Sequence, residues 1–250
     1  AAQALLGKVY AQMGSYSSAE TNLAAVAGAA QFSLQTNYGD VFSTSNELNS
    51  EIIFAQRRDI SFADEYTYAT EFPGWFGGND SKSDYPVTED LYNAFDANDT
   101  RRNYINVVSP NPSFQATSTK YDLATNTSQD WIEIRLADVI LLLAEVRNEA
   151  SNADGSQSST ILVLLDGIRT RASLTSLSGT ATTQATVKQA ILDERRFELA
   201  FEGQRWFDLI RTGTVDAEMG ETINSNYYVF PIPISEINAT NGVITQNAGY

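Results

Sequence analysis

From Ile191 to Gly213 the chain reads ILDERRFELAFEGQRWFDLIRTG, with Glu198 and Glu202 four residues apart, a spacing that puts two carboxylates on one face of a helix. Such a pair is the usual equipment of glycoside hydrolysis, one carboxyl giving a proton while the other stays ionised. The neighbours point to a different use. Arginines are interleaved with the acids, and an adjacent guanidinium holds a carboxylate ionised and occupied. Arg195, Glu198, Glu202 and Arg205 are therefore expected to form an internal ion-pair network that braces the fold.

At about 100° per residue, Ile191, Leu192, Leu199, Trp206, Leu209 and Ile210 fall on one stripe, with Arg195 and Glu202 inside it. Glu194, Glu198 and Arg205 flank the stripe. Phe197, Phe201 and Phe207 lie on other sides, so the helix is expected to be wrapped almost all round, with Gly203 as a kink point.

The rest of the chain limits what chemistry is available. It has 250 residues, 42% of them hydrophobic, enough for a sizeable core. With 16 basic against 31 acidic residues, the net charge of -15 repels a phosphate backbone, so no nucleic-acid partner is expected. Cysteine and histidine are absent, which removes thiolate nucleophiles, imidazole bases and the common zinc ligands. No cofactor or metal is expected. The longest apolar run, from Val139 to Ala144, is far below the roughly 18 residues of a membrane span.

Leu5, Leu6, Val9, Tyr10 and Met13 recur at helical spacing, Gly14-Ser15 interrupts them, and a second helical stretch runs from about Tyr16 to Ala29. The Leu6-Gly7, Tyr10, Ala19 and Leu23 pattern fits a tetratricopeptide-like hairpin. Glu51 to Phe54 reads as extended, and residues 60 to 85 are rich in aromatics, Gly and Asp without a steady period. A short helical pattern follows in residues 86 to 102, then a connector from Ser109 to Asp130. Helices are expected from about Trp131 to Ala150, over about 160 to 172, and through the acid and arginine motif. In the tail, the prolines of PIPISEI exclude a regular helix, and Ser235 is a candidate cap for a last short turn.

Taken together, several segments resemble the SusD/RagB family of outer-membrane nutrient-binding lipoproteins. They are ILDERRFELAFEGQRWFDLIRTG, IRLADVILLLAEVRNEA (134 to 150), LLDGIRTRA (164 to 172), SEIIF (50 to 54), PIPISEI and the final QNAGY. In the last of these Ala248 stands where the family usually has proline. The resemblance implies a mainly α fold, in which tetratricopeptide-like hairpins form a right-handed stack carrying an irregular, loop-rich insertion. Its expected divisions are a hairpin at 1 to 30, a variable ligand-binding region at 55 to 130, a helical core at 131 to 213 and a tail at 214 to 250, all within one domain. It also implies a non-enzymic role at the outer-membrane surface: holding an oligo- or polysaccharide for a SusC-like TonB-dependent transporter. Family members are about twice this length, so a missing N-terminal part with a lipid anchor is expected.

A sugar offers flat C–H faces and a rim of hydroxyls, which aromatic rings beside Asn and Asp match. The expected ligand contacts are Tyr66, Tyr68, Phe72, Trp75 and Tyr85, with Asn79 and Asp80 beside Gly74, Gly77 and Gly78. The alternative for the rings is to pin the insertion to the helical stack. Asp84, Glu89, Asp96, Asn98 and Asp99 lack the spacing of a calcium loop and read as a solvated acidic face. Two rival functions remain: a tetratricopeptide-type protein-protein adaptor, and a hydrolase using the 194 to 202 carboxylates or Asp64 with Glu65.

Overall fold

The computed structural model describes residues 1–57, 86–110, 114–121 and 129–250. They form two compact units, Ala1–Gly203 and Gln204–Tyr250.

The first unit opens with α1 (Ala2–Gln12) and α2 (Tyr16–Ala27). Small side chains decide how they meet. Ala4, Gly7 and Ala11 recur every three or four residues and lie buried with Ala19, Leu23 and Val26. A methyl group on Gly7 would stand 2.7 Å from the Leu23 side chain, so this approach requires glycine. Tyr10 packs on the same cluster. The larger residues Leu5, Leu6, Val9 and Met13 are left on the exposed side of α1.

β1 (Ile52–Gln56) follows, then α3 (Glu89–Ala94), whose N-terminus is capped by the Thr88 hydroxyl accepting from Leu91 N. The expected connector is only partly irregular. It begins at the last residue of β2 (Ile105–Ser109) and contains β3 (Gln115–Ser118), which pairs antiparallel with β2, and their inner residues Ile105 and Ala116 pack with Val87 and Phe95.

The helix expected from Trp131 starts later. Residues WIEIR form β4 (Trp131–Arg135), with Ile132 and Ile134 buried and Glu133 exposed between them, an alternation of period two. β4 pairs antiparallel with β1, and Leu136 N donates to Glu51 O at 2.8 Å.

α4 (Leu136–Ser151) is the central helix, apolar on nearly every side. Val139, Leu142, Leu143 and Val146 pack with the α1–α2 hairpin, while Ala137, Leu141 and Ala144 pack with Ile161, Leu165, Ile168, Val187 and Ile191. Each large aliphatic side chain so buried is worth about 1.5–3 kcal/mol, which makes α4 the anchor of the unit. The single helix expected over 160 to 172 is divided into α5 (Ser158–Leu162), a 3₁₀ turn at Val163–Leu165 and α6 (Asp166–Arg171).

α7 (Gln184–Glu198) starts with a reciprocal Thr183/Thr186 capping box and ends before the opening motif is finished. The expected continuous helix with a kink at Gly203 is two helices. Phe201 and Gly203 take positive φ (67° and 74°), conformations no helix interior accepts.

In the second unit, α8 (Arg205–Thr212) and α9 (Val215–Met219) are followed by α10 (Ile234–Ala239), which starts at Ile234 after Pro233 rather than under a Ser235 cap. The Gln246 side-chain amide holds the tail, accepting from Ile232 N at 2.8 Å and donating to Ile232 O at 2.9 Å. Tyr250 Oη donates to Val229 O at 3.1 Å. Among the described residues no helix is long and apolar enough to cross a membrane.

Candidate functional site

The expected ligand contacts Tyr66, Tyr68, Phe72, Trp75, Asn79, Asp80 and Tyr85 lie outside the described residues, as do Asp64 and Glu65. What is described is the frame that carries their segment. The described chain breaks off after β1, which is paired with β4, and resumes just before Val87, whose N–H donates to Ala116 O of β3 at 3.0 Å. The other undescribed stretches, 111–113 and 122–128, join β2 to β3 and Tyr121 to Gln129. All three are therefore rooted in the two small sheets.

Beneath that frame lies a buried cluster of charges built on the end of α7. Glu198 Oε1 accepts from Arg135 Nη1 at 2.6 Å and from Arg171 Nη2 at 2.5 Å, and its Oε2 accepts from Arg101 Nη1 at 3.0 Å. Glu202 accepts from Arg135 Nε and Nη2, both at 2.7 Å, and from Lys120 Nζ at 2.5 Å. The set continues outward. Arg135 and Arg171 both reach Glu51, Arg101 bridges Asp99 and Glu194, and Arg169 completes Glu194. Lys120, Arg101, Arg135, Arg169 and Arg171 thus face Glu51, Asp99, Glu194, Glu198 and Glu202, five cations against five anions.

The same groups explain where α7 stops. A helix end leaves its last carbonyls without intrahelical donors and carries partial negative charge. Glu198 O accepts from Tyr38 Oη at 2.9 Å and from Arg135 Nη2 at 2.7 Å, Ala200 O from Lys120 Nζ at 2.7 Å, and Phe201 O from Tyr121 Oη at 3.2 Å. Phe42 lies 4.5 Å from Lys120 Nζ and 5.5 Å from the Arg135 guanidinium carbon, measured from its ring centre.

Burial alone would push the Glu198 carboxyl up, but Arg135, Arg171 and Arg101 outweigh it and hold it down at about 2. Glu202 is lowered against the same burial by Arg135 and Lys120. Lys120 goes the other way. Burial, with Arg135 nearby, brings its ammonium down to about 8 despite Glu202. Both carboxylates are ionised and saturated with donors. The adjoining cavity, lined by Tyr38, Arg101, Tyr104, Ser118 and Lys120 among others, measures about 10 Å³, the room of one water molecule.

The four residues expected to form one network are divided among three places. Glu198 and Glu202 sit together in the cluster. Arg195 instead donates to Asp138 Oδ1 at 2.9 Å, and Lys8 meets the other Asp138 oxygen at 2.5 Å, tying α1, α4 and α7 together. Lys8 and Arg195 hold the Asp138 carboxyl well below its usual range although burial opposes them. Arg205 belongs to the second unit and pairs with Glu218 at 2.6 Å, each side chain about one-third exposed. The geometry explains the division: the break after Glu198 takes Arg205 off the α7 helix, and Arg195 faces α4. The cations that serve Glu198 and Glu202 come from four other segments, and only the density of acids at 194, 198 and 202 hinted that they were needed. Of the expected acidic face, Glu89, Asp96 and Asn98 are exposed, Asp84 lies outside the described residues, and Asp99 is corrected, since it is buried and binds Arg101. Among the described residues no group of three or more acids is arranged to hold a metal ion.

Comparison with known proteins gives the fold a family. The model of the SusD family matches residues 13–250. SusD-like protein P25 of Formosa agariphila is 29% identical over 280 aligned residues, 86% of this chain and 52% of that protein. A SusD superfamily protein from Parabacteroides distasonis superposes with a TM-score of 0.76 at 22% identity, covering 99% of this chain and 62% of the other. A laminarin-binding SusD-like protein superposes with a TM-score of 0.70 at 26% identity, covering 100% and 62%. The chain spans about half the length of that Formosa relative and about three-fifths of these solved structures.

Proposed function

Because this chain belongs to the SusD family, we propose that it is the glycan-holding part of an outer-membrane surface protein. In this reading it binds an oligosaccharide and hands it, uncleaved, to a SusC-like TonB-dependent transporter, with a lipid anchor outside residues 1–250 keeping it at the membrane. The observation that carries the reading is the match of the whole chain to a laminarin-binding SusD-like protein.

The contacts are assigned to Trp75, Tyr66, Tyr68, Phe72, Tyr85, Asn79 and Asp80, in the aromatic and glycine-rich segment between β1 and Val87. One ring that removes about 100 Å² of apolar surface from water contributes about 2.5 kcal/mol. Two such rings barely exceed the ordering cost of association, so the dissociation constant belongs in the millimolar to micromolar range of about -4 to -8 kcal/mol. Weak binding suits a protein that passes its cargo on. The absence of cleavage is supported by Glu198 and Glu202, the acids a hydrolase would use, both buried and fully engaged by cations.

The test is calorimetric titration of the purified full-length protein with laminarin and a panel of plant, algal and host polysaccharides, with reducing ends assayed in parallel. Binding of at least one glycan without new reducing ends is expected. Trp75→Ala should weaken it by about tenfold or more while leaving the melting temperature in place. Failure to bind any of the panel, or release of reducing ends, overturns the proposal.

A further inference from the structure

We propose that Asn241 is a site of spontaneous covalent modification, at which the Gly242 nitrogen closes a ring on the side-chain amide and ammonia leaves. Of the asparagines in the chain, Asn241 alone is followed by glycine. Both residues are exposed and lie just past the end of α10, with φ of 51° and 81°. Such a left-handed stop suits Gly or Asn. A Cβ on Gly242 would meet no atom within 4 Å, so the space beside its nitrogen is open.

The short tether between amide and nitrogen replaces an encounter between two molecules. Gly242 N donates to Ile237 O at 3.4 Å, a long bond that is cheaply broken. The Asn241 side chain makes no hydrogen bond among the described residues, whereas Asn247 in the same tail donates its amide to Phe230 O at 2.7 Å. Once its N–H is deprotonated, the Gly242 nitrogen bonds to the Asn241 side-chain carbonyl carbon. The bond from that carbon to the amide nitrogen breaks, and the amide leaves as ammonia, taking a proton from water. A second water then opens the imide ring. Opening at the side-chain carbonyl leaves aspartate; opening at the main-chain carbonyl leaves isoaspartate, with an extra carbon in the backbone.

The two Asp-Gly pairs of the chain are guarded against the same ring closure. Ser156 N donates to the Asp154 carboxylate at 3.0 Å and holds it below its usual range, so it stays ionised and a poor electrophile. Gly155 N is engaged by Asn152 O at 3.0 Å, and Asp166 and Gly167 lie within α6.

Modification would alter the tail. The ring removes the Gly242 N–H that serves Ile237 O, and the product sets a carboxylate beside the last carbonyls of α10, which carry partial negative charge. An extra backbone carbon also shifts the register in which Val243 N and Ile244 N meet Thr240, both at 3.2 Å. None of this involves the ligand, so failure of the inference leaves the glycan reading standing.

The test holds the full-length protein at about pH 7 and about pH 9, then weighs its proteolytic peptides and detects isoaspartate by enzymatic methylation. Asn241 is expected to convert about tenfold faster than Asn247, to a product about 1 Da heavier, and faster at the higher pH because the attacking nitrogen must lose its proton. Gly242→Ala, which sets a methyl group beside that nitrogen, should slow conversion about tenfold, and Asn241→Gln, whose ring is larger, should abolish the mass change at that position. Conversion at Asn241 within about threefold of Asn247, a rate indifferent to pH, or an unchanged rate in Gly242→Ala each overturns the proposal.

Discussion

Arg135 is the residue on which the buried cluster turns, since it donates to Glu51, Glu198 and Glu202 and to the last carbonyl of α7. Arg135→Met keeps much of the volume and strands three carboxylates, so a loss of about 3–5 kcal/mol is expected, read as a lower urea midpoint at unchanged slope. Lys120 makes a prediction of opposite character. Its ammonium loses its proton near 8 in the folded chain, against 10.5 for an ordinary lysine. Between those values the unfolded chain binds more protons, so this residue's contribution to stability increases as pH rises, by up to about 1.4 kcal/mol per unit. Urea melts from pH 7.5 to about 10 should show that increase in the wild type relative to Lys120→Met, and parallel profiles would rule it out. Glu194, Glu198 and Glu202 were legible in the sequence because they recur at helical spacing, whereas Glu51 and Asp99 were not. Arg101, Arg135 and Lys120 were not, because they reach Glu198 and Glu202 from 63 to 97 residues away, and periodicity reports only neighbours on the same element.

Among the elements, the α1–α2 contact is the most sharply testable. Gly7→Ala would press a methyl group against Leu23, which is fully buried and has no room to withdraw. A loss of about 1–3 kcal/mol in thermal or urea melts is expected, while Gly14→Ala in the turn meets no neighbour and should cost only the strain of its positive φ, about 1 kcal/mol. The hairpin itself was readable from its helical period and its Gly-Ser break. Of the face it buries, Gly7, Tyr10, Ala19 and Leu23 were legible in the pattern, whereas Ala4 and Ala11 were not, because the conspicuous Leu, Val and Met positions are the exposed ones. β4 was missed for a related reason: five alternating residues run straight into a strong helix and were absorbed by its longer period. The β2–β3 hairpin lies in a Ser, Thr and Asn-rich stretch where alternation is faint. The break after α7 follows from donors on distant segments that take its final carbonyls, which no local pattern announces.

For the whole molecule, the helical fold and the family could be read from the chain, because the motifs that carry them are long and occur in order. The ligand is not written in that order, since recognition depends on which loop tips converge. Net charge adds one constraint. At -15 the chain repels acidic polymers, so a neutral glycan is the expected cargo, and its affinity should change less than about twofold between about 0.05 and 0.5 M NaCl. Titration at the two salt concentrations checks this, and a steep rise with salt would point to an anionic ligand. The five-against-five cluster also bears on how the protein is made. Glu51, Asp99 and all five cations leave the ribosome before Glu194, Glu198 and Glu202. Until those three acids emerge, the growing chain holds an excess of positive charge at the very place that must become dry. This charge cluster therefore cannot close until residue 202 is free of the ribosome, whereas the apolar packing of α1, α2 and α4 draws on no residue beyond Leu164.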